Sequence, residues 1–176
     1  AGGPFRRAHV EVFALPGRVA VLHVCVFPAL GRGAPIYGFD VVSGADRTTG
    51  LFLDVTPTTP ESEDAVAAWG ALACRAAGAL GTARELPDWG AIFSPHMVAV
   101  RPEGRAGLEA GVSLAEAALE LALAEAGPAD PAAMRAAQAR YVEGQLRNDR
   151  TRRMLAGAVG PELAERFIAE ALFPPP

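Results

Sequence analysis

Three polar residues stand inside apolar runs, and their types could move protons. Glu11 lies in HVEVFAL, His23 in VAVLHVCVF and Asp40 in IYGFDVVSG. Carboxylates are disfavoured in strands and are seldom buried without a partner. An apolar setting raises a carboxyl pKa by desolvation and can move an imidazole to either side of neutrality. Groups so placed exchange protons near pH 7. Taken singly, each also fits a solvent-facing place on a half-exposed sheet. Together they predict an acid and imidazole cluster, provided that neighbouring strands bring them to one face. Other constellations are weaker. His9 and His23 with the carboxylates offer metal-ligand atoms, but no close His-x-x-x-His or Cys pairing supports a metal site. Ser94 before Pro95-His96 is not a nucleophile elbow. The Gly31 and Gly33 loop lacks the third Gly and the helix of a dinucleotide site. Asn148-Asp149 reads equally well as a helix cap.

The elements that must position these groups follow from periodicity. His9 to Leu15 alternates, with His9, Glu11 and Phe13 on one face. Pro16-Gly17 signals a turn, and Val19 to Phe27 is rich in β-branched residues. A two-residue turn between these runs predicts an antiparallel hairpin, which can set His23 against Glu11. Further strands are expected over 36–42, which carries Asp40, over 51–55 and over 96–101. Helices are expected over 61–80, broken near Gly78, and over 113–126, opened by the capping box of Ser113 and Glu116. Asp130-Pro131 opens another, running to about Val159 with a kink near Asn148. A last helix covers 161–172, and 84–95 reads as an ordered loop. Strands first and helices after imply an α+β fold, an antiparallel sheet covered by helices.

Composition narrows the classes. The 176 residues fit one domain, 1–176, and 51% of them are hydrophobic, enough for a substantial core. A net charge of −4 argues against a nucleic-acid-binding domain. All fixed side-chain cations are Arg, because the chain holds no Lys. Two cysteines, Cys25 and Cys74, make neither a disulfide framework nor a metal cluster, so a reducing, cytoplasmic setting is expected. The opening AGGPFRRAHVEVFALPG does not read as a signal peptide. The most apolar helical stretch, 65–80, contains Arg75 and is short for a bilayer span, so no membrane partner is expected.

Eight segments, in order, resemble the ferredoxin-dependent bilin reductases. They are HVE (9–11), VLHVCVFP (21–28), PIYGFDVVSG (35–44), LFLDVTP (51–57), RELPDWGAIFS (84–94), VRP (100–102), QLRNDRTRRML (145–155) and LF (172–173). The resemblance implies a three-layer α/β/α sandwich with a central antiparallel sheet, and a bilin held between sheet and C-terminal helices. It implies no bound metal or flavin, biliverdin as substrate, single electrons from a reduced 2Fe–2S ferredoxin, and a monomer. It also implies roles. Asp40 matches the proton-donating aspartate, His23 its histidine partner, and Glu11 the glutamate of the phycocyanobilin-forming branch. Asn148 and Asp149 match a helix pair facing the bilin from the other side. His9, Ser94 and Arg150 match substrate-binding positions, Ser94 and Arg150 beside the propionates. The set points to reduction of biliverdin IXα to phycocyanobilin. A two-electron reduction to another bilin and a bilin carrier without turnover are the alternatives. The stretch 103–133 is compressed and offers no counterpart of the family's propionate-binding Arg.

Overall fold

The computed structural model describes residues 3–86 and 88–176. Pro87, inside the RELPDWGAIFS segment, lies outside the described residues, as do the first two positions. Four strands come first: β1 (Phe5–Leu15), β2 (Val19–Pro28), β3 (Ile36–Gly44) and β4 (Thr48–Thr56). Helix α1 (Glu63–Leu80) leads into a short β5 (Gly81–Ala83), and β6 (Val98–Pro102) follows the loop. The remainder is helical: α2 (Gly104–Leu123), α3 (Pro131–Gln145), α4 (Asp149–Val159) and α5 (Pro161–Arg166), which continues as a π-type turn over Phe167–Leu172. The six strands form one sheet in the order β1-β2-β3-β4-β6-β5, antiparallel at every pairing.

Strand alternation sorts side chains to two faces, and each face carries its own core. On one, Tyr37, Phe39, Leu51, Leu53 and Val55 pack with Trp69 of α1 and Leu114 of α2. On the other, Cys25, Phe27 and Ile36 pack with Tyr141 of α3, Leu155 of α4 and Ile168 beyond α5. The result is helices, sheet, helices, as the family resemblance implies. Trp69 has no exposed surface. Truncating such a side chain to Ala costs about 3–5 kcal/mol.

Several expected boundaries move. The hairpin turn holds three residues, since Leu15 pairs Val19 and the Arg18 amide donates to the Leu15 carbonyl at 3.0 Å. Helix α1 passes through Gly78 unbroken. The Ser113/Glu116 box caps nothing, because α2 begins nine residues earlier at Gly104. Its glycines are demanded by packing. A Cβ at Gly107 would stand 2.5 Å from the Leu80 carbonyl oxygen, and one at Gly111 2.3 Å from Leu51 Cδ1. The expected 131–159 helix is two helices. Asn148 caps the second, its side-chain oxygen accepting from the Arg150 and Thr151 amides at 3.2 and 3.3 Å.

Candidate active site

Register brings the three polar residues into one row. Glu11 pairs His23 across β1 and β2, and His23 pairs Asp40 across β2 and β3. Asp40 in turn pairs Phe52 on β4. Two residues away along each strand lies a second row on the same face, His9, Cys25, Gly38 and Asp54. Glu11, His23, Asp40 and Phe52 of the first row and Gly38 and Asp54 of the second form one wall of a cavity of about 280 Å³. The opposite wall comes from Tyr141 and Gln145 of α3, Met154 and Leu155 of α4, and Leu172-Phe173. The loop after β5 contributes Trp89 and Phe93. A mostly apolar cleft with a few convergent polar groups is the usual form of a small-molecule site.

The polar floor is coupled. His23 Nδ1 lies 2.6 Å from Asp40 Oδ1, and His9 Nε2 lies 3.5 Å from Glu11 Oε2. Burial by itself would depress the His23 pKa. The Asp40 carboxylate, by charge and hydrogen bond, and Glu11, by charge, outweigh it and hold the imidazolium above its ordinary range. His23 Nε2 and Trp89 Nε1 are buried and have no hydrogen-bond partner among the described residues. Buried donors are normally satisfied; two orphans in the walls of one cavity are what a ligand with acceptor atoms would complete. Tyr141 is buried, and desolvation first, then the nearby Cys25 and the carboxylates Asp40 and Asp54, push its phenol well above the usual value.

Two cations complete the lining, Arg84 and Arg150. Arg84 sits over the Phe52 ring, 5.3 Å from its centroid, and Nη1 donates to the Thr49 carbonyl at 2.7 Å. Burial and then the charges of Arg150 and Arg101 depress its pKa. Among the described residues neither Arg84 nor Arg150 joins an ion pair. Two arginines that repel each other beside one cavity suit a ligand with carboxylates. No group of three or more His, Cys, Asp or Glu able to hold a metal ion occurs among the described residues. None of the described helices is long and apolar enough to cross a membrane.

The other expected site residues divide. Asn148 lines the cavity while capping α4. Asp149 is exposed and pairs Arg153 one turn along the same helix, outside the lining. His9 stands behind Glu11, with Arg7 Nη2 3.3 Å from its Nδ1. Ser94 is buried, and its hydroxyl is engaged by Asp54 and the His96 amide. Sequence reasoning missed Arg84, whose place depends on where a loop runs. It also missed Asp54, although an Asp inside LFLDVTP carries the same signal as Asp40 in IYGFDVV.

The sequence and the fold are both similar to those of known proteins. The sequence model of the ferredoxin-dependent bilin reductases matches residues 2–174. The phycocyanobilin:ferredoxin oxidoreductase of Prochlorococcus marinus is 35% identical across 97% of this chain and 68% of its own length. That of Gloeobacter violaceus is 31% identical across 96% and 69%. The crystal structure of tomato phytochromobilin synthase in complex with biliverdin superposes with a TM-score of 0.81, at 19% identity, over 97% of this chain and 66% of that one. The chain thus spans about two thirds of the length of these relatives. With the model matched almost end to end, the chain belongs to the ferredoxin-dependent bilin reductase family.

Proposed function

We propose that this chain, acting as one domain, reduces biliverdin IXα to phycocyanobilin in two two-electron steps, with electrons from a reduced 2Fe–2S ferredoxin. The observation that carries the reading is the row of Glu11, His23 and Asp40 along the floor of an apolar cavity. An electron added to a conjugated tetrapyrrole is retained only if a proton follows, so the wall against the pigment must hold acids. His23 fits that role near neutrality. Asp40 keeps its imidazole charged, and its Nε2 has no hydrogen-bond partner among the described residues. After His23 has given its proton, the Asp40 carboxylate, 37% exposed, takes one from solvent and relays it to the ring, and Glu11 serves the pyrrole ring nearest β1. Arg84 and Arg150 would take the propionates, and the orphaned Trp89 N–H an acceptor of the substrate. Asn148 faces the pigment from the helical side.

The test is an anaerobic assay of the purified chain with biliverdin, ferredoxin and a reducing system, with products separated by chromatography. Phycocyanobilin is the expected product. A dihydrobiliverdin alone would replace the reading by a single two-electron reduction. A shifted absorbance band with unchanged biliverdin would make the chain a carrier.

A further inference from the structure

We propose that Asp54 is a positioning residue for the bilin, a latch that holds the loop over 88–97 against the sheet. The inference rests on the function proposed above for its substrate, and on geometry alone for its mechanics. Asp54 is 1% exposed and lies in the cavity wall. Its Oδ1 accepts from Ser94 Oγ at 2.5 Å and from Trp69 Nε1 at 3.3 Å; its Oδ2 accepts from Thr56 Oγ1 at 2.6 Å and from the Ser94 amide at 2.8 Å. All four donors are neutral. A buried carboxylate without a cation is expensive, and an apolar side chain would enter this core at lower cost. What the carboxylate alone supplies is a simultaneous grip on β4, α1 and the loop.

The loop is where that grip matters. It carries Trp89, Phe93 and Met97 to the cavity, and Ser94 is its one residue bonded to Asp54 through both backbone and side chain. The Ser94 hydroxyl has no further hydrogen to give. It donates to Asp54 and accepts from the His96 amide at 3.1 Å. Ser94 therefore acts on the substrate through Asp54 and the loop, not by touching a propionate. Asp54 also sets the loop relative to the acids, because it pairs Gly38, two residues from Asp40, and stands two residues from Phe52, which pairs Asp40 itself.

Asp54→Asn tests the latch with almost no change of shape. In one orientation its amide NH₂ opposes the Ser94 N–H, in the other the Trp69 N–H, so one donor always loses its acceptor. Amide exchange over 88–97 should accelerate at least about tenfold, the scale of one hydrogen bond to a charged group, with β2 and β3 unchanged. The KM for biliverdin should rise by a similar factor, with kcat within about threefold of wild type. Ser94→Ala, which spares α1 and β4, should reproduce both effects, and the double variant should be no worse than Asp54→Asn alone. Unchanged loop exchange in both variants would overturn the latch. A lowered Tm with KM untouched would reduce Asp54 to a structural residue, and a loss confined to kcat would place it in the chemistry; either result overturns the proposal. If the wild-type chain leaves biliverdin unreduced, the proposed function fails, while the exchange measurement still decides the latch.

Discussion

Asp40→Asn separates the shape of the acid row from its protons. The amide keeps the volume of the carboxyl group, and its oxygen can still accept from His23 Nδ1–H across the 2.6 Å contact. Two things are lost: a carboxylate that can take up and relay a proton, and the charge that opposes the desolvation of His23. With that charge gone, burial prevails and the His23 pKa falls below its ordinary value, leaving a neutral ring at neutral pH. The variant therefore disables the relay at Asp40 and discharges the donor beside it. A positioned general acid contributes about 10²–10⁴ in rate. The Asp40 side chain is 37% exposed, so water reaches the row and can replace part of the supply; the lower end, a loss of about 10²–10³ in kcat, is the expected magnitude. Binding should change little, because the cavity wall keeps its form, and Kd for biliverdin should stay within about threefold. The assay is anaerobic single turnover followed by absorbance, with a parallel ¹⁵N NMR titration of the His23 ring. A bilin that takes up electrons but stalls before product is the expected trace. Full turnover with an unmoved His23 titration would refute the proton role of the pair.

Three further outcomes follow from the same cavity. Glu11→Gln should complete the first two-electron step and then accumulate an intermediate, visible by chromatography; full conversion to phycocyanobilin would remove Glu11 from the second step. Arg84→Gln should raise the KM for biliverdin about tenfold, near the lower end for a charge-assisted bond to a carboxylate, and restore nothing at higher pH; an unchanged KM would show that this guanidinium binds no propionate. The His23 pKa is raised in the folded chain above the unfolded 6.5, so the His23–Asp40 pair contributes stability that is fully present below 6.5 and is lost as pH rises through the higher folded value. The gap in Tm between wild type and His23→Gln should accordingly narrow as pH rises from 6.5, and a gap that widens would contradict the charged pair.

How much of this site was legible depends on the distance over which each residue is held. Glu11, His23 and Asp40 could be read because strand pairing has a period of two and short connections restrict the register, so face and row follow from local sequence. Asn148 was equally local: a cap needs only the next two amides, and it has them. Asp149 shows the reverse. Its partner Arg153 lies one turn along the same helix, a spacing visible in NDRTRR, and it draws the carboxylate to the surface. The Ser113/Glu116 pattern misled because a local capping signal carries no weight inside a helix whose path is set by Gly107 and Gly111 meeting Leu80 and Leu51. Asp54 and Arg84 lay beyond local reading for a related reason. Asp54 gains its meaning from Ser94, 40 residues on, and Arg84 from Thr49, 35 residues back. The segment LFLDVTP states that a carboxylate enters the sheet; only the fold states which loop it holds. The floor of the cavity is thus written in strand periodicity and its rim in long-range contacts, and substitutions should sort the same way, floor residues changing kcat and rim residues changing KM.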